Sequence, residues 1–158
     1  MISKIKDYIG DFSFDHVGIA VHELQQGFLF YQALGFQKIS VEEVPREKVK
    51  VGIIELKNQS RLELLEPTSE ESPIAKFLNK KGPGIHHICL RVQDIDGVLL
   101  KLKTAKIQLI NEEPVLGAHH CRVAFVHPRS TGGVLLELSQ PIYPSEAITI
   151  STTGRDVR

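Results

Sequence analysis

Two stretches of this chain, 71 positions apart, restrict what it can fold into more than any other feature. Phe14-Asp-His-Val-Gly-Ile-Ala-Val21 and Gly84-Ile-His-His-Ile-Cys-Leu-Arg-Val92 each read as a short strand carrying a histidine, His16 in the first and His87 in the second. The segments after them repeat as well. Leu24, Phe28 and Tyr31 are spaced as one face of an amphipathic helix, and Ile95, Leu99 and Leu102 recur at the same shift. Next, Phe36–Ile39 and Ile107–Ile110 are predicted strands at a shift of 71, Val49–Ile54 and Cys121–Val126 at 72, and Leu62–Leu64 and Leu136–Leu138 at 74. A shift that drifts while the element order holds predicts two modules, each a strand, a helix and three strands, with loops of unequal length.

Alternation then sorts the side chains. His16 shares a face with Gly18 and Ala20, and His87 shares one with Cys89 and Arg91. On the last strand of each module, Glu63 and Glu137 point away from the leucines that flank them. A carboxylate inside an apolar strand is costly to bury unless it is paired or binds a metal. Each module thus supplies one His and one Glu at equivalent positions. If the modules are related by a twofold, His16, Glu63, His87 and Glu137 converge on a mixed N/O site for a divalent ion such as Zn, Co, Mn, Ni or Fe(II). The alignment also separates the adjacent histidines. His87 pairs with His16, whereas His86 pairs with Asp15 and falls on the opposite face with Ile88 and Leu90, which is a structural position. Cys89 reads as a small core residue, and Arg91 as a partner for a buried carboxylate.

Between the modules, Ser72 suits an N-cap, Pro73 suits the first helical position, and Gly82-Pro83 ends the segment. These residues predict a linker helix over about 72–81. Residues 111–120 form a long polar connection containing His119 and His120, which read as solvated loop histidines with an acid/base role as the alternative. The organisation expected is one domain over 1–143, with module one at about 14–67, module two at about 85–139 and a tail at 144–158. A short added strand at Ala147–Ile150 belongs to that expectation.

Composition narrows the class. Apolar residues make up 42% and charged residues 24% of the 158, and formal net charge is zero, so no basic excess points to nucleic acid. Two cysteines without a secretory signal give no disulfide framework, and no run approaches a membrane span. A cytoplasmic protein is expected.

The residues resemble the vicinal oxygen chelate superfamily, which includes glyoxalase I, extradiol dioxygenases and bleomycin-resistance proteins. Within it they are most similar to the methylmalonyl-CoA epimerase family. The motifs that carry the likeness are Asp15-His-Val-Gly-Ile-Ala-Val21, Glu63-Leu-Leu-Glu-Pro67, Ser72-Pro-Ile-Ala-Lys-Phe-Leu78, Gly84-Ile-His-His-Ile88, Glu112-Glu-Pro114, Gly117-Ala-His119 and His127-Pro-Arg-Ser-Thr-Gly-Gly-Val-Leu-Leu-Glu137. The segment with Ser-Pro-Ile-Ala is the more specific part.

The resemblance implies an α+β, glyoxalase-like fold in which two βαβββ modules curl a sheet around a metal site, in a homodimer. It implies one divalent ion per site (Co, Mn, Zn or Ni) on His16, Glu63, His87 and Glu137, with Glu137 doubling as acid/base. The reaction implied interconverts (2R)- and (2S)-methylmalonyl-CoA through a metal-stabilised enolate, with an acyl-CoA as substrate. A second acid/base carboxylate of the family falls on Val51 here. Glu47 has the same strand parity but lies roughly 13 Å away along an extended strand. Lys76, Lys80, Lys81, Arg122 and Arg129 are candidate CoA contacts, each read first as a solvated surface charge. The alternatives are a glyoxalase I-like lactoylglutathione lyase, which can use the same ligands, and a non-catalytic small-molecule binder.

Overall fold

The strand expected around His16 forms as β1 (Phe12–Ala20), and its counterpart as β5 (Gly84–Val92). The two run antiparallel, side by side, at the centre of an eight-stranded sheet. The computed structural model describes residues 10–143; the expected tail and its added strand lie outside them. After β1 come α1 (Leu24–Ala33), β2 (Ile39–Val44), β3 (Val49–Glu55) and β4 (Arg61–Pro67). Then α2 (Pro73–Lys81) leads into β5, followed by α3 (Ile95–Thr104), β6 (Val115–Leu116), β7 (Cys121–Val126) and β8 (Leu136–Pro141). The sheet order is β2-β3-β4-β1-β5-β8-β7-β6. Read outward from the β1–β5 seam, each half has the same order. Each half also has one parallel pair, β1 with β4 and β5 with β8. The result is a curled, open mixed sheet. No described helix is long and apolar enough to cross a membrane.

The helices form where periodicity placed them. Leu24 of α1 is buried with Ile54 and Leu64, with Phe28 and Tyr31 packed against them. Ile95 and Leu99 of α3 are buried with Val92, Ala124 and Leu138, and Leu102 packs alongside. Ser72 caps α2, its Oγ accepting the Ile74 N–H at 3.2 Å, with Pro73 in the first turn and Gly82 at the C-cap with φ 74°. Ile74 and Leu78 of α2 pack on Val51 and Leu65.

One expected pair of strands does not form. Phe36–Ile39 and Ile107–Ile110 instead begin with the turn that ends each helix. Phe36 N–H donates to Tyr31 O and Gly35 N–H to Gln32 O, while Ile107 N–H donates to Leu102 O and Lys106 N–H to Lys103 O. These are Schellman motifs with Gly35 (φ 98°) and Lys106 (φ 60°) in the left-handed position. The repeat over these residues is real, but what repeats is a helix C-cap with its apolar C″ residue. The strand of the first half starts later, at Ile39. In the second half only a Leu109–Val126 bridge and the two-residue β6 take its place.

Candidate metal and substrate site

The register at the seam builds the site. Gly18 lies between Glu63 on β4 and His87 on β5, while Cys89 lies between His16 on β1 and Glu137 on β8. Gly18 and Cys89 are themselves 71 positions apart. Each half therefore places a small residue beside the other half's histidine. At Gly18 a side chain would displace the histidine, since an added Cβ would lie 2.2 Å from His87 Cε1.

All four expected residues are buried. His87 Nε2 lies 3.0 Å from His16 Nε2 and 2.9 Å from Glu137 Oε2, and His16 Nε2 lies 3.5 Å from the same oxygen. These three donors converge within 4.8 Å of one another. Glu63 joins through His16, with Oε2 at 3.4 Å from Nε2. Its other oxygen accepts from Arg61 Nε at 3.1 Å and faces His119 Nε2 at 3.0 Å.

Two β-bulges set the orientation of the histidines. The β1–β5 register slips between Phe14 and His16, leaving Asp15 unpaired, and again between Gly18 and Ile19, leaving His86 unpaired. Asp15 and His86 are also 71 apart. Each turns toward the histidine that comes after it. His16 Nδ1 donates to Asp15 Oδ1 at 2.8 Å, and His86 Nδ1 sits 2.9 Å from His87 Nδ1. The placement of His86 opposite the site is thereby corrected: a bulge suspends strand alternation, and His86 lines the cavity with its ring edge-on to Phe77. Asp15 is 1% exposed and is held by Arg61 and by Arg91, whose Nε donates at 2.8 Å. Neither Asp15 nor Arg61 carries a role on sequence grounds alone. The signal that marks Asp15 is the titratable residue preceding the histidine in both halves.

Electrostatics favour a cation here. Burial by itself raises carboxylate pKa values. At Asp15 the bonds to His16 and the arginines overcome this and hold it at about 2; at Glu137 the bonds to His16 and His87 do the same. At Glu63 burial is again overcome, first by His119 and then by His16, and the pKa is lowered. Burial opposes the charge on His16, yet Asp15, Glu137 and Glu63 raise its pKa to about 9. A proton thus sits among carboxylates where a metal ion would replace it, with both Nε2 atoms facing inward. Two imidazoles and carboxylate oxygens are a fitting donor set for a divalent transition ion. Burial lowers the His86 pKa, with His87 adding to it, to about 4, so this ring is neutral. A second grouping of Asp15, His16 and Cys89 does not fit a metal: Asp15 is engaged by two arginines, and burial pushes the Cys89 thiol far up, leaving no thiolate.

Beside these groups opens a cavity of about 250 Å³. Val49, Val51, Leu65 and Ile74 form one wall, Phe125 and Leu135 another, and Glu63, His87 and Glu137 reach into it. Glu47 also lines it. The distance expected along an extended strand does not apply, because Pro45–Glu47 is a 3-10 turn and Lys48 is left-handed (φ 52°), so the chain folds back. Of the cationic side chains considered for CoA, Arg122 is engaged with Asp96 at 2.7 and 2.8 Å.

Residues 15–125 match the model of the Glyoxalase/Bleomycin resistance protein/Dioxygenase superfamily. The chain is 43% identical over 128 residues to the mitochondrial methylmalonyl-CoA epimerase of Homo sapiens, covering 80% of this chain and 72% of that one. The crystal structure of methylmalonyl-CoA epimerase from Mycobacterium tuberculosis is similar with a TM-score of 0.80 at 32% identity, over 89% of this chain and 93% of that one. A methylmalonyl-CoA epimerase in complex with methylmalonyl-CoA and ammonium is similar with a TM-score of 0.75 at 34% identity, over 81% and 93% of the respective chains.

Proposed function

The chain belongs to the Glyoxalase/Bleomycin resistance protein/Dioxygenase superfamily, and we propose that within it this protein is an epimerase that interconverts (2R)- and (2S)-methylmalonyl-CoA. The observation that carries this reading is the convergence of His16, His87 and Glu137, the last two reaching into a cavity with apolar walls. A volume of about 250 Å³ suits an acyl head and is below the range for larger ligands, so the nucleotide portion of a CoA thioester would lie outside.

His16, Glu63, His87 and Glu137 would hold a divalent ion, one of Co, Mn, Zn or Ni. Such an ion supplies positive charge to stabilise negative charge that develops on substrate oxygens. The hydrogen to be moved lies between a thioester and a carboxylate, so its loss is assisted from both sides. Glu137, ionised at neutral pH and in the cavity, would take the proton from one face of the substrate, and in the reverse direction would return one to that face. Val51, apolar and in the cavity wall, cannot serve as a second proton carrier. Glu47 is the remaining carboxylate lining the cavity and would deliver a proton to the opposite face, the two carboxylates exchanging roles in the reverse direction. Asp15 fixes the His16 ring with Nε2 turned to the site, and His86 does the same for His87.

The test is a comparison of substrates. Protein loaded with Co, Mn or Zn should interconvert the epimers of methylmalonyl-CoA and leave the methylglyoxal–glutathione hemithioacetal unchanged. Turnover of the hemithioacetal without epimerisation would favour the lactoylglutathione lyase reading, and turnover of neither a non-catalytic binder.

A further inference from the structure

We infer that His119, steadied by Glu42, is a positioning residue for Glu63: it engages one carboxylate oxygen so that only the other faces the metal site. The inference rests on the reading of Glu63 as a metal ligand.

His119 reaches Glu63 from the opposite half of the molecule, on the turn between β6 and β7. Its backbone N–H donates to both oxygens of Glu42 on β2, at 3.1 and 3.2 Å, and its Nδ1 lies 3.4 Å from Glu42 Oε2. Its Nε2 lies 3.0 Å from Glu63 Oε1. The ring is thus set between two carboxylates, both from the first half. Glu42 can do this because it stands opposite Val51 in the β2–β3 pairing and shares the inward face with buried Val44.

The turn is held in a demanding conformation. His119 and His120 both have positive φ, 57° and 50°, which side chains of this size adopt at a cost of roughly 1 kcal/mol or more each. Such geometry persists where surrounding bonds over-determine it. Here Cys121 N–H donates to Ala118 O at 3.2 Å, Ile142 N–H to His120 O at 2.9 Å, and Ala118 packs on the core of the first half. A turn that served only to connect strands would not need its histidine aimed at a buried carboxylate 56 residues away.

With Arg61 also donating to Oε1, Glu63 can offer a single oxygen, Oε2, toward His16. A carboxylate fixed in this way binds through one oxygen and leaves the space beside it for substrate. The counterpart of Glu63 in the other half, Glu137, has no such clamp among the described residues: its Oε2 faces both histidines directly. The clamp therefore gives the two carboxylates of the site different surroundings: Glu63 is held on one oxygen by His119 and Arg61, whereas Glu137, among the described residues, meets the two histidines alone.

The experiment is a Mn(II) titration of the full chain followed by electron paramagnetic resonance of the free ion, with the melting temperature of the metal-free protein read alongside. His119→Ala is expected to weaken binding about tenfold. His119→Gln, which keeps a donor at the Nε2 position, is expected to recover to within about threefold of the parent, and Glu42→Ala to weaken binding by about threefold. Glu63→Ala is the control on the ligand reading. If Glu63→Ala binds as the parent does, that reading fails and the clamp with it. If Glu63→Ala loses affinity while His119→Ala and Glu42→Ala keep it, the clamp alone is refuted. If the Ala and Gln variants lose affinity equally and melt equally early, His119 merely props the turn. Should His119→Ala not fold, Glu42→Ala decides, since it loosens the clamp from its far end with the turn sequence intact.

Discussion

Gly18 shows how tightly single residues define this site. A methyl group there would sit 2.2 to 2.7 Å from three atoms of the His87 ring, so the ring must swing out of line. Gly18→Ala is expected to leave a folded protein with activity lowered about a hundredfold, the scale of a misplaced reacting group. Steady-state rates with circular dichroism as the folding control would check it. His16 sets the pH dependence. In the metal-free protein it holds a proton up to about pH 9, and an ion binding at Nε2 must displace that proton. Apparent metal affinity should therefore rise with pH, about tenfold per unit below 9, and level off above it. Calorimetry in buffers of different ionisation enthalpy should count about one proton released per ion at neutral pH. At this scale the sequence is informative about the four residues proposed as ligands and silent about their supports. His16 and His87 are legible because a repeat selects them, and Glu63 and Glu137 because alternation isolates them. Asp15 and His86 are not, since a bulge changes which way a residue points without leaving a mark in the apolar pattern. His119 sits on a turn with no period at all.

Among the elements, the helix ends are the instructive case. Residues 36–39 and 107–110 read as strands because apolar residues recur there at a constant shift. The physical source of the recurrence is the C″ position of a Schellman motif, where Phe36 packs back on Tyr31 with ring centroids 6.4 Å apart. A short apolar run cannot by itself distinguish a strand from a helix stop. The two stops differ in one respect: the first has Gly35 in the left-handed position, and the second has exposed Lys106. Lys106→Gly should therefore stabilise the protein by about 0.5–1 kcal/mol. In a chain of this size that corresponds to a melting temperature higher by roughly 1–4 °C, readable by scanning calorimetry. By contrast, the helix α2 is legible to within a residue, because Ser72, Pro73 and Gly82 each act through local backbone chemistry.

For the molecule as a whole, the fold is two like halves joined along β1 and β5, and the function lies in how they differ. Like elements bring one His and one Glu from each half to the seam, and that much is dictated by the repeat. The cavity is unlike on its two sides. The first half walls it with β2, β3 and α2, whereas the second walls it with β7 and with Gly117 and Ala118 of the connection that carries His119. Loop lengths announce this asymmetry, but its shape depends on long-range contacts that no local pattern encodes. Everything proposed for the molecule turns on whether this shared site removes and returns the proton next to a thioester. The most direct test is to incubate the metal-loaded protein with (2R)-methylmalonyl-CoA in deuterated water and follow the 2-position by proton NMR. Deuterium should enter that position as the (2S) epimer appears, and the rate should collapse once the metal is stripped. Persistence of the 2-proton in the presence of Co, Mn or Zn would contradict this assignment.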